Sequence, residues 1–391
     1  MPAQESIAKA QSGERKCILV LGMHRSGTSL LARLLNLAGA ALPSDLLGAS
    51  EGNVFGHWEP AWLVSRNDAF LAGLGTSWDD WARLDTTAVP PDLMTAYVAD
   101  LRSFLRAELG DAPLILIKEP RTCRIAPPIL RALGDEGIRP LAVIPFRNPL
   151  EVAGSLRARN GMAERDGILL WLRHVVDAER DSRALPRSFL AYDRLMADWR
   201  PEFERLSRQL GLAWPRSLDT AADDMAGFIA PEARHNHRAD ADLQEVSYTG
   251  GLALRVFAAL QALTAEPCDA AAMAAMDSCA RQLDEIEDLT LPTRKAIARE
   301  AAGRISELER TVTELSALRD GLAEMNETNR HLIDDLRGRL DGARAEIDRQ
   351  AQALEAVYAS HSWRFSAPLR AAGTAGRGAV RLLRRLTAVF G

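Results

Sequence analysis

The chain has 391 residues, 47% of them apolar and 26% charged, which excludes a collagenous, disordered or channel-forming chain. That length predicts one domain with an appendage or about two domains, and the formal net charge of −5 argues against nucleic acid as a partner. Cys17, Cys123, Cys268 and Cys279 are scattered without CxxC spacing, which predicts reduced structural thiols in a cytoplasmic protein.

Residues 1–14 are polar and predict a disordered N-terminus without the apolar run of an export signal. An α/β domain is expected over 15–245. CILVLG, from Cys17, reads as a strand buried on both faces, and GTSLLARLLNLAG after it has helical period. The same order recurs at PLILIKEP (113–120) and PLAVIPFRNP (140–149). Repeated βα units predict a three-layer α/β/α fold with a central parallel sheet, its ligand groups beyond the carboxyl ends of the strands. Gly167 to Arg183 and Trp199 to Leu210 read as helices, and SFLAYDRL (188–195) as a further strand.

Residues 246–300 read as a helical packing region without evident chemistry. Over 301–358 a heptad places Ile305, Val312, Ile333, Leu340, Ile347 and Leu354 at one core position. Leu308, Leu315, Leu322, Leu336, Ala343 and Val357 hold the other. Arg319, Asn326, Asn329 and Gln350 are polar exceptions. The pattern predicts either a coiled coil joining copies of the chain or a long helix folded back on the catalytic domain. The tail 359–391 is basic and amphipathic, with arginines from Arg364 to Arg385 among apolar residues up to Phe390. It reads either as a peripheral contact, through 364–390, with the inner face of the cell membrane or as a helical cap. No apolar stretch approaches the ~20 residues of a membrane span.

The chemistry begins at GMHRSGTS (22–29). Gly22 and Gly27 let the backbone wrap a phosphate, with His24, Arg25, Ser26, Thr28 and Ser29 around it and the next helix aiming its amides there. Where a nucleoside-triphosphate loop carries lysine, this chain has Thr28, and the nearest cation is Arg25. No strand ends in an acid suited to magnesium, so phosphoryl transfer lacks its usual charge neutralisation. Sulfuryl transfer without a metal fits better.

GMHRSGTS together with FRNPLEVAGSL (146–156) resembles the donor-binding elements of the P-loop sulfotransferases, particularly bacterial ones acting on saccharides. The resemblance implies 3′-phosphoadenosine 5′-phosphosulfate (PAPS) as donor, with Arg147 and Ser155 on its 3′-phosphate. An arginine fork and a helix-borne hydroxyl suit that phosphate. EGNVFGHWEP (51–60) is similar to a G-[FYH]-W-E element of the family, and LIKEPR (116–121) to K-[DE]-P-R.

An acceptor hydroxyl must lose a proton, so Glu59 is the first candidate base and His57 the second. Glu59 could instead be a structural partner of Arg66 or Arg121. Lys118 or Arg25 could stabilise charge on the bridging oxygen, while Glu119 and Arg121 could pair with each other. YDRL (192–195) looks like a family segment whose tyrosine, here Tyr192, lies near the adenine; the alternative is a core aromatic on a strand. FIAPEARHNHR (228–238) offers His235, His237 and Arg238 to close over the nucleotide, without the partners of a zinc site.

The resemblance implies a saccharide or glycan acceptor, and Trp58, Trp62, Trp78 and Trp81 could supply faces for sugar rings. SHSWRFSAPLR (361–371) resembles the ends of bacterial glycosyltransferases of surface-polysaccharide pathways, which suggests a cell-surface context. Two other readings remain: a P-loop small-molecule kinase using ATP, and a non-enzymatic coiled-coil scaffold for polysaccharide assembly.

Overall fold

The computed structural model describes residues 14–48, 56–229 and 247–360, together with Ser366, Gly373, Arg377 and Arg381. The expectations for the N-terminus to residue 13, for the start of the EGNVFGHWEP element, for His235, His237 and Arg238, and for most of the basic tail lie outside them. The chain divides into two units, Met1–Pro292 and Thr293–Gly391.

The first unit is built on one parallel sheet of β1 (Lys16–Val20), β2 (Leu114–Lys118), β3 (Arg139–Phe146) and β4 (Arg187–Ala191), in the order β2-β1-β3-β4. In chain order its helices are α1 (Thr28–Leu37), α2 (Ala61–Gly73), α3 (Pro91–Leu109), α4 (Ala126–Asp135), α5 (Pro149–Asn160) and α6 (Glu164–Asp181). They continue with α7 (Tyr192–Ala197), α8 (Trp199–Leu210), α9 (Leu218–Phe228), α10 (Ser247–Ala265) and the first residues of α11 (Ala270–Ala359).

Alternation along the strands divides the core in two. Cys17, Leu19, Ile115, Ile117, Ala142 and Ile144 face one cluster, covered by residues of α2, α3, α4, α6 and α10. Ile18, Val20, Leu114, Leu116, Leu141 and Val143 face the other, under α1, α8 and α9. Burial on both faces explains why these strands read as continuous apolar runs. Each large apolar side chain so enclosed contributes about 1.5–3 kcal/mol.

The register positions the site. Val20 lies opposite both Lys118 and Val143, and Phe146 opposite Ala191. The carboxyl ends of all four strands therefore align, and the segments after them leave the sheet at one edge.

One expected strand is shorter than its sequence suggests. Strand β4 ends at Ala191, and Tyr192 opens helix α7, with Asp193 in its first turn where the helix dipole favours an acid. Tyr192 is thus not a strand aromatic. The region after 246 contributes Leu252, Val256, Leu260, Met276 and Leu283 to the core that Leu19 and Ile144 face.

In the second unit the described chain is helical to Ala359, and no side chain from Thr293 to Ala359 is buried. Ile305, Leu308, Val312, Leu315, Leu322, Ile333, Leu336, Leu340, Ile347, Leu354 and Val357 all expose about half of their surface or more, from 47% to 65%. Among the described residues no helix is long and apolar enough to cross a membrane.

Candidate active site

The loop between β1 and α1 is shaped by two glycines. At Gly22 a Cβ would come within 2.6 Å of both the Pro145 ring and the Thr28 methyl, so only glycine allows the close approach to β3. Gly27 has φ +82°, and a Cβ there would stand 2.3 Å from the Tyr192 ring. Arg25 also takes a left-handed backbone, φ 69°. For a residue with a Cβ this is uncommon, and such conformations gather at functional turns. Ser26 is buried in the loop with its hydroxyl unpartnered.

Two segments 130 residues apart meet here. Arg25 Nε donates to Ser155 Oγ at 2.7 Å, joining the loop to helix α5. Asn148 caps that helix by accepting from the Leu150 amide at 2.9 Å, and Pro149 fits its first turn. Arg147, just ahead of it, pairs with Glu151 at 2.6 Å and stacks over the Tyr192 ring, 4.6 Å from its centroid. Because the same ring packs on Gly27, Tyr192 ties Arg147 to the loop.

Burial, and then the neighbouring charges of Arg159 and Arg147, lower the Arg25 pKa. Like charges brought together in this way make a pocket that favours an anion.

At the end of β2, Lys118 is buried and donates to the Glu59 carboxylate, to the His57 carbonyl at 2.9 Å and to Ser29 Oγ at 3.3 Å. Burial lowers the Lys118 pKa, while the Glu59 charge opposes that shift. Ser29 Oγ in turn donates to the His57 carbonyl at 3.2 Å. One buried ammonium therefore binds both helix α1 and the 57–59 segment. Trp58 between them has φ 57°, an outlier for so bulky a residue, with Arg33 over its ring at 4.7 Å.

The neighbouring carboxylates are structural. Glu119 pairs with Arg121 at 2.5 Å and accepts from Asn67 at 2.6 Å, and Tyr97 donates to Asn67 at 2.5 Å. Burial pushes the Glu119 carboxyl up to about 7, against the Arg121 charge. Arg121 also bonds Asp68, and Arg66 pairs with Asp100 at 2.7 Å. Glu59 is thus the partner of Lys118, not of Arg66 or Arg121, whereas Glu119 and Arg121 do pair.

His24 lies with its ring edge-on to Trp78, centroids 4.9 Å apart, and 6.4 Å from His174. Burial, then the neighbouring His174 ring and the charges of Arg121, Arg159 and Lys118, hold its pKa well below the usual imidazole value. Burial, followed by the Lys118, Arg159 and Arg25 charges, likewise lowers His57, with Glu59 opposing.

The structure therefore gathers Gly22, His24, Arg25, Ser26, Gly27, Thr28, Ser29, His57, Glu59, Lys118, Arg147, Ser155 and Tyr192 at one edge of the sheet. Of the four tryptophans, Trp78 reaches the loop. Trp62 stacks on Phe104 at 4.8 Å, and Trp81 is buried with its carbonyl accepting from Arg173 at 3.0 Å. Sequence reasoning missed Arg159, whose guanidinium lies 5.5 Å over the Trp78 ring. Its spacing of one helical turn from Ser155 was the available signal. It also missed buried His174, whose partner is the Leu170 carbonyl at 2.9 Å. Among the described residues no group of three or more His, Cys, Asp or Glu side chains could hold a metal ion.

No protein-family model matches the chain, and no curated protein matches it. Among solved structures it is similar to sulfotransferase STF1 from Mycobacterium tuberculosis H37Rv, with a TM-score of 0.33 and 15% sequence identity. That match covers 57% of this chain and 74% of the other. A likeness this weak decides neither fold nor activity.

Proposed function

We propose that the chain is a sulfotransferase that moves the sulfuryl group of PAPS to a hydroxyl of a saccharide or glycan. The observation that carries this reading is the Arg25–Ser155 hydrogen bond of 2.7 Å, made beside Arg147. It brings a lysine-free anion loop and a second phosphate-type site to the same place. The unpartnered Ser26 hydroxyl and the Arg25 and Arg147 guanidiniums fit a donor with two phosphate-bearing ends.

In this reading Gly22, His24, Ser26, Gly27, Thr28 and Ser29 form the cradle for the 5′ end, with the α1 amides. Arg25, Arg147 and Ser155 bind the phosphates, and Tyr192 flanks the nucleotide. The donor, when bound, supplies a sulfuryl group on a good leaving phosphate. Glu59, kept in register with the loop by Lys118, takes the acceptor proton as the new sulfur–oxygen bond forms. Arg25 and Lys118 steady the charge on the departing oxygen. No metal is required by this chemistry.

Residues 301–358 join copies of the chain in the same proposal, since their apolar heptad positions are exposed in a single chain. The basic 364–390 segment would bring the enzyme to the inner face of the cell membrane, near surface-glycan precursors.

Calorimetry with adenosine 3′,5′-bisphosphate tests the donor assignment. Arg147→Ala is expected to weaken binding by about tenfold or more, the loss of one charge-assisted phosphate contact. It should also abolish preference for the 3′-phosphorylated nucleotide over adenosine 5′-phosphate. Unchanged affinity in the variant, or stronger binding of ATP–magnesium by the native chain, counts decisively against the assignment.

A further inference from the structure

We propose that the acceptor is an anionic saccharide, carrying a carboxylate or sulfate near the reacting hydroxyl, and that Arg159 binds this group above the indole of Trp78. The inference rests on the sulfuryl-transfer reading and names its acceptor class.

Arg159 follows Ser155 by four residues on α5, so the two share one helix face. Ser155 meets Arg25 of the loop, and Arg159, one turn further on, covers Trp78, whose ring touches His24 of the same loop. An exposed guanidinium and a half-buried indole thus stand at the rim of the site. The Glu59 charge eases, and the Arg121 charge adds to, the depression that burial imposes on Arg159, which sets this cation within electrostatic reach of the proposed base.

Several cations around the site have acidic partners, whereas Arg25 donates to the Ser155 hydroxyl. Lys118 has Glu59, Arg121 has Glu119 and Asp68, Arg124 has Asp177 and Arg147 has Glu151. Among the described residues no carboxylate pairs with Arg159, whose Nε donates to the neutral Asn160 side chain. The face of an indole offers the C–H groups of a sugar ring an apolar surface, while a guanidinium offers a carboxylate or sulfate two parallel donors. A neutral sugar seated there would cover the cation without compensating it. An acidic one supplies the missing charge.

Calorimetric titration of the full chain tests this, with and without saturating adenosine 3′,5′-bisphosphate. The probes are a glucuronate-containing hyaluronan tetrasaccharide, its carboxyl-reduced counterpart and a 6-O-sulfated disaccharide with its desulfated form. At least one acidic probe should bind about tenfold more tightly than its neutral counterpart, a difference that shrinks with added salt. Arg159→Ala should erase the difference, Arg159→Lys should keep part of it, and nucleotide affinity should stay within about twofold.

Which acidic probe shows the preference tells carboxylate from sulfate. Equal affinity for both members of each pair overturns the proposal. So does a tenfold loss of nucleotide affinity in Arg159→Ala, which would assign the residue to the donor. Failure of the native chain to bind the nucleotide at all would strike the sulfuryl-transfer reading, while the acidic preference measured without nucleotide still judges Arg159.

Discussion

Lys118→Met should destabilise the first unit severely, and the structure sets the scale. The substitution keeps much of the side-chain volume but removes the ammonium that bonds Glu59, the His57 carbonyl and Ser29. Both members of the ion pair are almost wholly enclosed, Lys118 with 2% and Glu59 with 7% of the side chain exposed. Removing one partner of a buried pair leaves an uncompensated charge, at a cost of about 3–5 kcal/mol. Replacing the whole pair by apolar residues is often neutral, so Lys118→Met/Glu59→Met should recover most of that loss. Urea unfolding of the full chain, followed by tryptophan fluorescence, measures this. With a slope of about 3 kcal/mol/M, the single variant should lose about 1–2 M in midpoint. A single-variant loss under about 1 kcal/mol, or a double variant no more stable than the single, would refute the coupling drawn here.

Two further outcomes follow from burial. Burial holds the His174 imidazole down to about 3 from its ordinary 6.5, opposed only in part by its bond to Leu170. The folded ring is neutral, whereas the unfolded one takes up a proton below about pH 6.5. Stability from this group is therefore complete above about pH 6.5 and is lost as pH falls toward about 3, at up to about 1.4 kcal/mol per unit. Between about pH 6.5 and 5 His174→Leu should change the slope of the unfolding free energy by up to about 1.4 kcal/mol per unit, against a native background to which His24 adds and which the raised Glu119 carboxyl opposes; an unchanged slope in His174→Leu would exclude this role. For the second unit, Leu336→Glu/Leu340→Glu alters side chains that are already 51% and 52% exposed, so a lone chain should be indifferent. Light scattering should change from an oligomer to a monomer, and an unaltered mass would exclude self-association through this stripe.

Much of the fold was legible because burial on both sheet faces writes itself as apolar runs. CILV, LILI and PLAVIPF are strands where the sequence suggested. The end of β4 was not legible, since SFLAYDRL has no glycine or proline to mark where extended chain becomes helix. Spacing singled out loop residues 22–29 and the pair Arg147 and Ser155, but not the bonds they make. Ser155 accepts from Arg25, while Arg147 is held between Glu151 and Tyr192. The partner of Glu59 was likewise invisible, because Lys118 lies 59 residues away and meets it only through the alignment of strand ends.

By itself the sequence determined the alternating βα order, the two glycines of the loop at 22–29, and the exposed heptad stripe. Each is a local pattern, fixed by steric freedom at single residues or by side-chain period. Tertiary structure alone decided which charges neutralise one another. Coulombic pairing depends on distance in space, and the parallel register β2-β1-β3-β4 brings Arg25, Lys118, Arg147 and Arg159 to one edge. Lys118 finds an acid there, and Arg159 finds an indole.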